Sequence, residues 1–301
     1  MWVGGDKFFF LRWQARGTGC TSRQLFRYFY KARIQPVTMD YGAVISESIE
    51  YTREALVEKW TVWLVFILCS LPFALIQFVY DPKTILAGKT FHWELIPWPQ
   101  IIALVLAGFL LSFIISGYLV RVYRGITPPP GFDNWASLYL DGIKLAVVGI
   151  LWVLPAMLVG AIAFVLLIVG AVTAGGSIGL IAAAVILLLA AFVLVVITIL
   201  YSILGNVRFA RTGSIREGIR FSAITATIRA IWWGTYIIAL IVLFVTGIIF
   251  TIVVAVLSFI PFVGWVIQLV LTPLFSVFSA RYVSRLYDQN APPAPAPAPA
   301  P

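Results

Sequence analysis

Between Lys144 and Arg208 the sequence has no Asp, Glu, Lys, Arg or His, a gap of 63 residues from Leu145 to Val207. Globular domains carry about a quarter of their residues as charges, and this chain carries 11%. At about 1.5 Å per helical residue the gap would reach roughly 95 Å, against about 30 Å for a bilayer core. It therefore crosses more than once, folding back at Ala174-Gly175-Gly176-Ser177. Other absences bound the chemistry. No Asp, Glu, Lys, Arg or His lies inside an apolar run, which argues against pumping through a buried carboxylate and against acid–base catalysis within the spans. The two cysteines, Cys20 in a basic leader and Cys69 in an apolar run, form no disulfide or metal framework. The single histidine, His92, has only Glu94 and Asp81 near it in sequence, a solvated loop more than a metal site. Glycine-rich nucleotide motifs are missing. The expectation is no enzyme, no catalytic residue, no metal and no cofactor.

What is present is apolar: 61% hydrophobic residues, with a net charge of +9. The basic residues are dispersed between apolar runs, a pattern that orients helices in a bilayer and makes no nucleic-acid surface. Six runs are long enough to span: Trp60 to Tyr80, Ile101 to Val120, Leu145 to Val172, Ile178 to Asn206, Thr235 to Leu257 and Val263 to Ala280. Pro72, Pro155 and Pro273 predict kinks within them, and Gln77, Gln268 and Asn206 predict hydrogen bonds between helices.

An amphipathic stretch leads into each pair of runs. In the first, Ile45, Ile49, Leu56 and Trp60 share one helical face and Glu47, Arg53, Glu54 and Glu58 mark the other. After Pro128-Pro129-Pro130-Gly131, Asp133 can cap a short helix with Trp135, Leu138, Tyr139 and Ile143 on one side and Asp141 and Lys144 exposed. Ser214 opens the third, in which Ile215, Ile219, Ala223 and Ala226 oppose Arg216, Glu217 and Arg220. Each pair of runs then ends in two arginines one turn apart with an aromatic beside or between them: Arg121 and Arg124, Arg208 and Arg211, Arg281 and Arg285. The fold class expected is all-α, an integral membrane protein of six transmembrane helices in three hairpins, each behind a cytoplasmic amphipathic helix, as a degenerate threefold repeat. Of the twelve basic residues after residue 60, only Lys83 and Lys89 fall between paired runs, so both termini are expected in the cytoplasm. Residues 39–288 form the expected membrane domain. Residues 1–38, with seven basic residues against Asp6, are expected to be a leader outside it, and 289–301 an Ala/Pro-rich tail.

Met39-Asp40-Tyr41-Gly42, Asn134-Trp135 with Asp141-Gly142-Ile143-Lys144, Arg208-Phe209-Ala210-Arg211-Thr212-Gly213-Ser214-Ile215, and Ile260-Pro261-Phe262-Val263-Gly264 occur in that order. In these motifs the chain resembles the multi-pass membrane proteins, common in archaea, catalogued as domain of unknown function 4013. The resemblance spans 39–287, implies an integral membrane protein with Met39 as its start, and carries over no catalytic or binding residue.

Two functional readings stay open. One is a non-enzymatic bundle that organises or anchors in a cell membrane; the other is a transporter or lipid-binding protein with a cavity among kinked helices. The six arginines (Arg121, Arg124, Arg208, Arg211, Arg281 and Arg285) serve either as orientation charges or as forks for a lipid phosphate, with anionic headgroups on the cytoplasmic side as the expected partner and a homo-oligomer left open.

Overall fold

The computed structural model describes residues 39–79, 96–173, 176–260 and 263–288. The leader, the loop bearing Asp81, Lys83, Lys89, His92 and Glu94, and the Ala/Pro tail lie outside the described residues, as do Ala174-Gly175 and Pro261-Phe262 of the expected turns. The chain divides into two compact units, Met1–Asp40 and Tyr41–Pro301. Met39 and Asp40 are the described part of the first, and the second holds every helix below.

Among the described residues all regular structure is helical. Helix α1, Tyr41–Thr52, continues into a π-helical turn, Arg53–Val57. Then come α2 (Trp60–Val79), α3 (Trp98–Tyr123), α4 (Trp135–Val172) and α5 (Ile178–Thr212). The last four are α6 (Ile215–Gly218), α7 (Phe221–Ile231), α8 (Trp233–Ser258) and α9 (Gly264–Asp288). Six of these, α2, α3, α4, α5, α8 and α9, are long and apolar enough to cross a membrane, and they coincide with the six expected runs. The chain is a multi-pass membrane protein.

The lead-ins depart from expectation, each for a readable reason. Across α1 and the π-helical turn the buried residues are Val44, Ser48, Tyr51, Thr52, Ala55 and Leu56; of the expected apolar face Leu56 is therefore buried, while Ile49 and Trp60 are exposed. Where the surrounding solvent is lipid, apolar side chains can face outward, and small or hydroxyl residues let helices approach. Ser48 and Thr52 satisfy their hydroxyls within the helix, donating to Val44 O and Ser48 O at 2.7 Å each. The second lead-in is no separate helix: α4 runs unbroken from Trp135 through Lys144 into the span, because nothing between them interrupts helical hydrogen bonding. Its cap is Asn134, which accepts from Ser137 N at 3.4 Å, instead of Asp133. The third breaks into α6 and α7 at Ile219 and Arg220, and its buried residues are Gly218, Ile224, Ile228 and Ile231.

The spans α3, α5 and α9 contact one another; α2 packs on α3 and α9, α4 on α5 and α3, and α8 on α9. Tyr236 of α8 also donates to Leu200 O of α5. Helices α4 and α5 meet along a seam of small residues seven apart, Ala156, Ala163 and Gly170 against Ala184 and Ala191, all buried between neighbours exposed on their other sides. A seven-residue repeat keeps the seam facing its partner over many turns.

Helices run through Pro72, Pro155 and Pro273. A proline weakens the hydrogen bonding of the turn before it, and in lipid those carbonyls need other donors. Trp63 Nε1 donates to Val270 O at 2.8 Å and Thr198 Oγ1 to Trp152 O at 3.0 Å, each acceptor three residues before a proline. Trp63→Phe should therefore lower stability by about 1 kcal/mol, read as a lower unfolding temperature in detergent. Trp60→Phe, at a residue 65% exposed, should leave it unchanged. Equal effects would discount the bridge. The expected amide bonds between helices take a different form: Gln77 donates to Ala74 O of its own helix, and Gln268 is exposed.

Candidate functional site

The six arginines gather at one end of the bundle because α3, α5 and α9 all carry theirs in the last turns. Cations there complement the negative end of the helix dipole and can bond the last unsatisfied carbonyls. Helices α3 and α5 do this for each other. Arg124 Nε donates to Ala210 O at 3.1 Å, and Arg211 Nε donates to Tyr123 O at 2.9 Å. Gly125 makes room for this contact: its φ is +75°, and a Cβ there would lie 2.6 Å from Arg211 Nη2. Arg211 then reaches α9, donating to Ser284 Oγ at 3.0 Å and Asp288 Oδ2 at 2.6 Å, while Ser284 Oγ donates back to Tyr123 O. Arg121 holds the loop before α4, donating to Gly131 O at 2.9 Å and to Asp133 O.

The remaining arginines meet acids of the lead-ins. Arg124 Nη2 pairs with Asp141 at 2.6 Å, Arg208 with Glu217 at 2.6 Å, and Arg281 with Glu47 at 3.0 Å. Arg285 binds the same Glu47 oxygen. Asp141, expected exposed, is only 15% exposed at its side chain, since the guanidinium of Arg124 covers it. In all three lead-ins the pairing acid precedes a buried small residue: Glu47-Ser48, Asp141-Gly142 and Glu217-Gly218. The small residue lets the backbones close up, and that brings the acid within reach of an arginine on the neighbouring span. The arginines were legible in sequence. Their partners were not, although this acid-small dipeptide was the available signal.

Burial works against ionisation of Glu47, yet hydrogen bonds from Arg285 and Arg281 outweigh it and hold the carboxyl below its ordinary 4.5. Hydrogen bonds from Arg208 and Arg220 do the same for Glu217. Burial pushes the Tyr51 phenol up to about 12 against the opposing charge of Arg281, whose Cζ lies 4.3 Å above the Tyr51 ring. A carboxylate that ionises more readily when folded stabilises the fold above its ordinary value, and that stability is lost as pH falls through the lowered one. The unfolding temperature should thus be level from about pH 7 to pH 5 and drop below about pH 4.5. A Glu47→Gln, Glu217→Gln double variant should show a shallower drop from a lower start; an identical slope would remove these two carboxylates from the account.

The family described as "Protein of unknown function (DUF4013)" matches residues 101–259, just over half of the chain. The chain belongs to this family. Neither a curated protein nor a solved structure matches it. The DUF4013 segment contains Arg121, Arg124, Arg208 and Arg211 with the acids Asp141 and Glu217, and so holds two of the three acid–arginine joints. The third, Glu47 with Arg281 and Arg285, lies in the flanking residues, as do Met39-Asp40-Tyr41-Gly42 and Ile260-Pro261-Phe262-Val263-Gly264.

Proposed function

We propose that this DUF4013 protein is a non-enzymatic membrane-organising or anchoring bundle. Three hairpins, α2–α3, α4–α5 and α8–α9, form a degenerate threefold repeat, with the arginine end and both termini in the cytoplasm and anionic headgroups of a cell membrane as its lipid partner. The observation that carries this reading is the direction of the acid–arginine joints. Arg124, closing the first hairpin, pairs with the lead-in acid of the second, Arg208 of the second with the acid of the third, and Arg281 and Arg285 of the third with Glu47 of the first. Such a head-to-tail closure spends the arginines mainly on assembly. Their remaining exposed N–H groups, as on Arg124 and Arg285 at 34% and 38% exposure, are the contacts offered to lipid phosphates. The bridged turns before Pro155 and Pro273 support fixed kinks over the alternative of a transporter with a mobile cavity.

A reporter active only outside the cell, fused after Asp288, is expected to be silent, and one fused after Ser258 active. The reverse result overturns the orientation. Native mass spectrometry of the detergent-purified chain tests the role: retained anionic lipid without a bound solute supports the bundle, and a solute held at fixed stoichiometry supports the transporter.

A further inference from the structure

The three joints are not electrically alike. Asp141 takes Arg124 on one oxygen and the 47% exposed Lys144 on the other at 4.0 Å, and Glu217 likewise shares its two oxygens between Arg208 and Arg220, the latter 58% exposed and largely solvated. At the third joint two guanidinium groups converge on one oxygen, Oε1 of Glu47. Arg281 is 3% exposed at its side chain, and its Nε is buried with no hydrogen-bond partner among the described residues. A buried guanidinium nitrogen without an acceptor is costly, and one carboxylate leaves this pair of cations with an uncompensated charge. Glu47 and Arg285, by contrast, are each 38% exposed, so the carboxylate is reachable from outside the protein. Glu47 also sits on α1, a separate helix seated on α9, more than two hundred residues away along the chain.

We propose that Arg281 and Arg285 form an anion site for a phosphate group, and that Glu47 is a tethered carboxylate occupying it. This rests on the lipid-phosphate reading of the arginine pairs and names the pair and its regulation. A phosphate group brings more acceptor oxygens than a carboxylate and up to two charges, enough to neutralise both guanidinium groups and reach the orphaned Arg281 Nε. The Tyr51 ring, on the same helix as Glu47, lies beneath Arg281 and holds that fork in place while Glu47 occupies the site. Displacement of Glu47 frees α1 from α9 at this point, which couples occupancy of the site to release of the first lead-in helix.

The test uses the full chain in detergent, as wild type, Glu47→Gln, and Glu47→Gln with Arg281→Gln. Each is offered phosphatidic acid against phosphatidylcholine in native mass spectrometry, and inorganic phosphate against chloride in thermal unfolding. Glu47→Gln is expected to hold one phosphate-bearing ligand per chain about tenfold more tightly than wild type, and the added Arg281→Gln to abolish the gain. Retention of phosphatidic acid alone identifies a headgroup as the source, and protection by inorganic phosphate identifies a free anion. Equal retention by wild type and Glu47→Gln overturns the tethered-carboxylate inference while leaving the lipid-phosphate reading standing; no retention by either overturns both. Should Glu47→Gln fail to fold in chloride, its recovery by phosphate or phosphatidic acid supports the site, and failure of both to recover it counts against the site.

Discussion

Gly142→Ala is expected to abolish the folded bundle. A Cβ at Gly142 would lie 1.9 Å from Phe113 O and 2.9 Å from Gly117 N, and a Cβ at Gly117 would lie 1.9 Å from Leu138 O. These are backbone atoms on both sides, so no side chain can rotate away to relieve the overlap. Helices α3 and α4 would have to part at the level where Arg124 meets Asp141, and the joint would open with them. Overpacking costs about 1–3 kcal/mol where side chains can shift, and here the cost belongs at or above the top of that range. The expected readout is loss of monodisperse protein, or an unfolding temperature far below wild type. Gly149→Ala on the same helix is the control: among the described residues no neighbour lies within 4 Å of a Cβ placed there, so helix propensity should leave it neutral or better by up to about 1 kcal/mol. Wild-type behaviour of Gly142→Ala would mean that α3 and α4 are not in backbone contact.

The second large effect belongs to Arg211. One guanidinium holds Tyr123 O of α3 and Ser284 and Asp288 of α9 from the end of α5, so Arg211→Gln disconnects three helix ends at once. Arg211 and Asp288 are 29% and 33% exposed at their side chains, so solvent screens the pair, and the expected loss, carried mainly by the three hydrogen bonds, is about 1–2 kcal/mol. Arg211→Lys should recover little of it, since a single ammonium cannot span acceptors arranged for a planar fork. Hydrogen exchange should quicken at the ends of α3 and α9. Arg216→Gln, at an exposed residue in the same region, should change neither stability nor exchange. Similar outcomes for the two would make Arg211 one orientation charge among several.

The spans were legible because hydropathy over twenty residues is a strong signal, and each of the six helices contains or nearly matches its run. The packing faces were not. Apolar periodicity marks the face a helix turns toward an apolar environment, and here lipid competes with protein for that face. In the first lead-in the sequence pattern selected Ile45, Ile49, Leu56 and Trp60, of which Leu56 is buried and Ile49 and Trp60 are exposed, while Ser48, Thr52 and Ala55 are buried beside Leu56. The arginine pairs stood out as the charges bounding apolar runs. Their acids looked like ordinary polar-face residues, because what makes Glu47, Asp141 and Glu217 special is a backbone approach set by the neighbouring Ser48, Gly142 and Gly218. No hydrophobicity scale registers that. The uninterrupted α4 was missed for a related reason: a change from charged to uncharged residues at Lys144 looks like a boundary, but the helical backbone has no cause to stop there.

The joint between Glu47 and the last helix also sets an order of events during synthesis. Glu47 precedes Arg281 by 234 residues, which at about 5–20 residues per second is roughly 10–50 s of translation. Through that interval α1 has left the ribosome without its partner, whereas Asp141 and Glu217 find theirs within 17 and 9 residues. The nascent chain can thus complete its two internal joints as each segment inserts, and only the emergence of α9 closes the last. A ribosome stalled before Arg281 would hold an open chain in which Glu47 has yet to meet its arginines.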